Sequence, residues 1–342
     1  MNPDTPQHTR RNSLVSRAFS SATSTFVKCA AVIVSLAASA TAAVITQDSA
    51  DSGGDNQSSL VQGARWSNLE PPSAANDYTS TRLIRTPTAG STGGASATFA
   101  GNSLTLNNIG LNSGQLSFRG NNTTIITINA FTLNGTAFIE NSINSTQQTL
   151  SGNLTLGSPT VGFKHASSSG GITVASTISG AGTLLVTNTS NATYAGVTLT
   201  HANNTYSGGT SVSANGFLNV AADGALGGGN VTVTNAKLTL GGGSVHNYIG
   251  NSATLTFSAG LAASAINLNF SGTDTLAGIS LNGGTNYLAN GIYSASALNT
   301  LYGSSAFTGA GNLQVVPEPG SAALLGLGLL LVTALVRRQR RE

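Results

Sequence analysis

Cysteine occurs once, tryptophan once, and charged side chains fill only 7% of the 342 positions. A single cysteine supports neither a disulfide framework nor a cysteine-ligated zinc site. Charge is scarcer in the body of the chain than the total suggests, because Arg10, Arg11, Arg17, Lys28, Arg337, Arg338, Arg340 and Arg341 all lie in the terminal segments. Between Val44 and Val316 the cations are Arg65, Arg82, Arg85, Arg119, Lys164 and Lys237; Asp48, Asp51, Asp55, Glu70, Asp77, Glu140, Asp223 and Asp274 oppose them, for a net charge of −2. Phosphate-backbone binding needs clustered Lys and Arg, so nucleic acid is excluded as a partner. Helical periodicity is also missing. From Gly63 to Ala289 no stretch repeats apolar residues three and four apart, which excludes a helical bundle.

What is abundant is glycine, at 42 residues, with Ser, Thr and Asn, in a chain that is still 39% hydrophobic. Small neutral polar residues at that hydrophobicity suit turns and ladders rather than an open coil. Short alternating runs recur, each closed by Gly or Asn: "SLTLNN", "TIITIN", "NLTLGS", "GITVAS", "TLLVTN", "VTVTN", "KLTLGG". Alternation over four to six residues predicts half-buried strands. The runs also repeat as units, "ISGAGTLLV" at 178–186 being echoed by "FTGAGNLQV" at 307–315. Imperfect short-period repetition predicts an all-β solenoid, a right-handed parallel β-helix, in preference to a β-sandwich.

The segment Ile178 to Val233 resembles the autotransporter-associated β-strand repeat, through "GAGTL", then "NTYSGGT" at Asn204 to Thr210, then "GALG" at Gly224 to Gly227. The resemblance implies a β-helix coil with a repeat turn at Asn204, Tyr206, Gly208 and Gly209. Both glycines are expected at positive φ, where a Cβ is unfavourable. True autotransporters finish in a membrane barrel and this chain in one apolar run, so self-translocation is not implied.

The ends read differently. Residues 1–43 form a basic n-region, the apolar stretch around Cys29 and small residues, a secretory signal. Cleavage is expected after Ala42, with Ala40 and Ala42 at the −3 and −1 positions, and Ala43 is nearly as good a site. Its "TRRNSL" leaves the general and twin-arginine routes of the export machinery both open. Residues 44–62 have no periodicity and read as a flexible leader. The repeat domain follows at 63–316, with an end cap at about 291–316 that holds a short helix at "SASALNTLYG" and a last strand.

Residues 317–342 join "PEP" (Pro317, Glu318, Pro319), an apolar run read as a transmembrane helix at 320–336, and the membrane stop Arg337, Arg338, Arg340 and Arg341. This order resembles the PEP-CTERM sorting signal. The resemblance implies recognition by an exosortase, a membrane protease that removes the tail, with the arginines on the cytoplasmic side. Localisation is then the cell envelope for the precursor and the surface or exterior for the mature chain.

Chemistry is sparse. Glu140, Asp223 and Asp274 stand alone in sequence, His165, His201 and His246 lack metal-ligand spacing, and nucleophile elbows and phosphate loops are missing. Neither an enzyme, a metal nor a cofactor is expected. Trp66 is read as a core or front-cap aromatic, or with Tyr78 as a sugar platform. The function expected is an exported structural or adhesin-like β-helix, with an extracellular polysaccharide as a candidate partner. The alternative is a secreted carbohydrate-binding or polysaccharide-degrading β-helix.

Overall fold

A computed structural model describes residues 41–316 apart from 52–57, 90–92, 109–113, 120–121, 142–145, 166–169, 189–195 and 284–285. The signal peptide call and the whole tail, including the transmembrane helix at 320–336, lie outside the described residues. The chain is a parallel β-solenoid whose coils have three faces, visited in the order A, B, C.

Face A stacks Ala43–Thr46, Asn76–Ser80, Ser103–Asn107, the second half of Thr124–Gly135, the middle of Gln148–His165 and Thr177–Gly180. Face B runs from Leu83–Arg85 through Gln115–Phe118, Phe138–Asn141, the end of Gln148–His165, Thr183–Asn188, Thr210–Ser213, Val231–Thr234 and Thr254–Phe257 to Gly278–Ser280. Face C begins at Ala97–Thr98 and continues through the starts of both long strands, Ile172–Val174, Val197–Leu199, Phe217–Val220, Lys237–Gly241 and Ile266–Asn269 to Phe307–Gly309. Every one of these pairings is parallel.

Alternation decides which side chains enter the core. On face B the inward row is Ile84, Leu116, Ile139, Phe163, Val186, Val212, Val233 and Phe257, all buried and in register. On face C, Leu150, Val174, Leu199, Val220, Leu240 and Leu268 do the same. Outward positions carry hydroxyls and amides, such as Thr79, Thr105, Thr132, Thr155 and Ser179 on face A. Each strand draws its backbone partners only from the coils before and after it, so both ends of the stack need closing.

At the front, the expected leader supplies much of that closure. Ala43–Thr46 is the first rung, and Asp51, Ser58, Ser59 and Leu60 are buried. The Asp51 carboxylate accepts from the Ser59 hydroxyl at 2.6 Å, the Ser59 amide at 3.1 Å and the Arg85 amide at 2.8 Å, and Arg65 lies 3.4 Å away. Side chains of Asp and Ser can satisfy backbone groups without forming a strand, which is why this segment shows no periodicity yet is packed. Trp66 is fully buried, donates its indole N–H to the Ser59 carbonyl at 2.8 Å and meets Tyr78 edge to face at 4.8 Å. Tyr78 is itself only 1% exposed, so the pair is a cap over the first coil and not a sugar platform.

At the back, Ala295–Tyr302 is the one α-helix among the described residues. Ser294 accepts from the Ala297 amide, and Gly303, at φ 80°, donates to the Asn299 carbonyl, so both ends are capped. The helix seats Leu298 and Tyr302 on the last coil, where Phe307 packs edge to face against both Phe257 and Tyr302. The strand Gly291–Ser294 then pairs antiparallel with Asn312–Val315, which occupies the other edge of Thr273–Leu276 in parallel. Reversal of strand direction ends the ladder.

Burial of the only tryptophan gives the front cap its own probe. The native chain should emit at short wavelength and resist acrylamide quenching, and Trp66→Ala should cost roughly 3–5 kcal/mol in denaturant unfolding. Emission typical of water-exposed indole in the folded chain would contradict the placement.

Candidate functional site

On face A the regular ladder stops after Thr177–Gly180, and the repeat turn takes its place. Asn204 bridges the gap with its side chain: Oδ1 accepts from the Ile178 amide at 2.8 Å and Nδ2 donates to the Ala225 carbonyl at 2.9 Å. One buried amide therefore continues the hydrogen bonding of the coil before and the coil after. Tyr206 points inward, fully buried, with its hydroxyl 2.6 Å from that of Thr210. Burial pushes its pKa well up, against the partial offset of the Thr210 bond. The turn borders a groove of about 390 Å³ whose rim includes Asn203, Ser207, Gly228, Asn247 and Gly250.

The two glycines of the turn work differently. Gly209 has φ 86°, as the sequence predicts. Gly208 does not adopt positive φ, which corrects the expectation for it; a Cβ there would lie 2.4 Å from the Gly182 carbonyl carbon of the preceding coil. Its constraint is the close approach of two backbones, and the "GAG" and "SGG" stretches of neighbouring coils supply the glycines that make it feasible.

The isolated acids of the sequence come partly together. Asp223 accepts the amides of Ser244, Val245 and Asn247 at 2.8, 2.9 and 3.0 Å. Burial raises its pKa, but the amides, led by those of Val245 and Asn247, outweigh burial and leave it lowered. Asp274 is fully buried, with Oδ2 accepting the Ile249 amide at 3.2 Å and Oδ1 without a partner. Burial, with the charge of Asp223 adding to it, pushes the Asp274 pKa up to about 8, although the Ile249 and Tyr248 amides oppose the rise. Tyr248 stands between them, its hydroxyl accepting the Gly243 amide at 3.2 Å, and His246 stacks on Phe270 at 5.5 Å. The sequence does not reveal this grouping, because the members come from different coils. Only Asp223 of the two acids reaches solvent, so they do not frame a substrate between them.

Elsewhere, His201 Nε2 lies 3.0 Å from the Thr177 hydroxyl. Glu140 and Lys164 are directly paired across face B, with His165 beside them in the backbone register. The described residues hold no group of three or more His, Cys, Asp or Glu able to bind a metal ion, and no helix long and apolar enough to cross a membrane. Ala42 and Ala43 are described, Ala43 opening the first strand. Ala40, Pro317, Glu318, Pro319 and the four terminal arginines lie outside the described residues.

The class of protein is a parallel β-solenoid closed at both ends, with an interrupted face bearing a polar groove. A family described as the PEP-CTERM protein-sorting motif matches residues 315–341. Such a motif implies an exported protein recognised by an exosortase and processed at the cell envelope. The match begins on the last residue of the final strand and leaves the rest of the solenoid outside it. No curated protein and no solved structure matches the chain.

Two stability outcomes follow from this geometry. Gly208→Val and Gly209→Val should each lower the unfolding free energy by about 1–3 kcal/mol, and unchanged melting of both would refute the turn. For Asp274 the folded pKa exceeds the ordinary 3.8, so the unfolded chain loses its proton first. Stability is fully present below pH 4 and declines as pH rises towards 8. Asp274→Asn should remove this decline and stabilise the chain at pH 7 by up to roughly 4 kcal/mol; chemical denaturation at pH 4.5 and 7.5 measures it, and a parallel pH dependence in both proteins rules the assignment out.

Proposed function

We propose that the chain is a cell-surface or extracellular-matrix protein with a structural or adhesin-like role and no catalytic one, cut from the membrane through its C-terminal signal. The observation that carries the reading is position. The matched signal starts at Val315, where the ladder of the solenoid ends, and the Val316 amide makes the last bond to that ladder, to the Leu276 carbonyl. Removal of everything from Pro317 onward therefore leaves each rung intact. The same holds at the front, where a cut after Ala42 spares the strand that begins at Ala43.

In this reading the apolar run at 320–336 spans the membrane as a helix, with Arg337, Arg338, Arg340 and Arg341 on the cytoplasmic side. Two prolines at 317 and 319 prevent helical hydrogen bonding and hold the cleavage segment extended for the protease. Membership of the autotransporter-associated repeat is part of the proposal, supported by the stacking of Gly224–Gly227 on the Asn204 turn. A non-catalytic role is supported by the burial of Asp274, which withdraws one acid of the only close pair. The outward rows of hydroxyls favour a second reading, a carbohydrate-binding solenoid.

Sorting is tested in a host that has the protease. The parent should lose its arginine tail, and replacement of Pro317, Glu318 and Pro319 by alanine should leave an uncut precursor in the membrane fraction on immunoblot. Equal processing of both forms would falsify the role of the motif.

A further inference from the structure

Face B carries a hollow of about 270 Å³ that no sorting or capping role uses. Its origin is one residue. Phe138, Gly162 and Leu185 occupy successive rungs of the same outward row, and the missing side chain at Gly162 opens a gap between the other two. The backbone does not demand glycine there: φ is not positive, and a Cβ would meet its nearest neighbour, the Leu185 carbonyl oxygen, at 3.4 Å. Glycine inside a strand weakens it and often marks a place where a ligand approaches closely.

The walls are chemically diverse. Lys164 places its ammonium 3.5 Å from the centre of the Phe138 ring, while its cross-strand partner Glu140 turns the other way to accept from the Gln115 side chain. Asn108 donates to the Thr136 carbonyl at 3.2 Å, and its Oδ1 is buried without a partner. Thr136 and Thr187 complete the lining with hydroxyls. The set is therefore one cation, a free acceptor, two hydroxyls and an apolar wall. A volume just under the usual range for small-molecule sites suits one ring of a longer ligand.

Beyond Leu185 the same row continues as Ser211, Thr232 and Thr256, and the neighbouring row as Thr187, Ser213 and Thr234. These are neutral hydroxyls spaced by the rung separation of about 4.8 Å. A charged pocket thus opens onto an uncharged hydrogen-bonding track. A phosphate would use the cation and leave the apolar wall and the free acceptor idle; an acidic peptide would not use the hydroxyl track as a polyhydroxylated chain does.

We propose that the hollow binds a uronic-acid unit of an acidic polysaccharide, with the carboxylate on Lys164, the ring between Phe138 and Leu185, and a sugar hydroxyl donating to Asn108 Oδ1. Following units lie along the Ser and Thr track. The inference rests on the chain being displayed outside the cell, but its test on purified protein does not depend on export or processing, so the two can fail separately.

Titration calorimetry of the full chain in detergent, with tetragalacturonate, measures the site. Binding of tetragalacturonate is expected. Its methyl ester, and tetraglutamate as a plain polyanion, should each bind about 10- to 100-fold more weakly, a charge-assisted hydrogen bond or the ring contacts being lost. Lys164→Met should lose as much, and Gly162→Val should abolish binding with melting at or above that of the parent. Failure of tetragalacturonate to bind at millimolar concentration overturns the proposal. So does equal affinity for the ester or tetraglutamate, or unchanged affinity in folded Gly162→Val. If Gly162→Val does not fold, Lys164→Met on the outer face decides alone, and unchanged affinity in it is equally fatal.

Discussion

Parallel pairing of each coil with the next is the constraint on which this structure depends. A strand in the stack satisfies half of its backbone groups with the coil before and half with the coil after, and contributes its inward side chain to a row that only stacking completes. A lone coil has neither a core nor a full set of hydrogen bonds. The composition follows directly: aliphatic residues inward, Thr, Ser and Asn outward, glycine where neighbouring turns crowd. Charge has little place in such a stack, because like charges one rung apart repel at under 5 Å.

The same constraint explains where the polar chemistry gathers. Wherever the ladder is broken or ends, backbone groups are stranded and side chains take over. Asn204 does this in the middle of face A with two bonds from one amide. Asp51 does it at the front with three, and Asn299 does it at the back, its Oδ1 accepting the Phe307 amide and its Nδ2 donating to the Phe307 carbonyl, both at 2.8 Å. Asp274 takes a comparable place but brings a carboxyl where an amide would fit, which leaves one oxygen unpaired and its pKa high. An acid kept in this position makes the last coils sensitive to pH in a way that the rest of the stack is not.

Sorting and binding occupy separate parts of the chain. The matched tail follows the final rung, so its removal need not disturb the fold, and the long outer faces stay available for contact along their whole length. A solenoid is suited to this division. Its surface repeats with the same spacing as its core, so an extended ligand can be met by many weak identical contacts and anchored at one place where the pattern is broken, as at Gly162.

Much of this was legible in the sequence. Alternation in "TLLVTN" or "KLTLGG" determined strand and facing, because side-chain direction in a strand depends only on parity. The cap helix was legible at "SASALNTLYG", since Ser and Gly mark helix ends through their own backbone preferences. The sorting signal is linear and needs no fold to be recognised. Stacking was different. The Asn204 side chain bonds residues 26 positions before and 21 after it, and turn lengths vary from coil to coil, so no fixed spacing reveals a partner. That is why the packing of residues 44–62, the ordinary φ of Gly208, the proximity of Asp223 to Asp274 and the gap at Gly162 emerged only from tertiary structure: each depends on which residue of another coil lies one rung away, and the sum of intervening turns decides that.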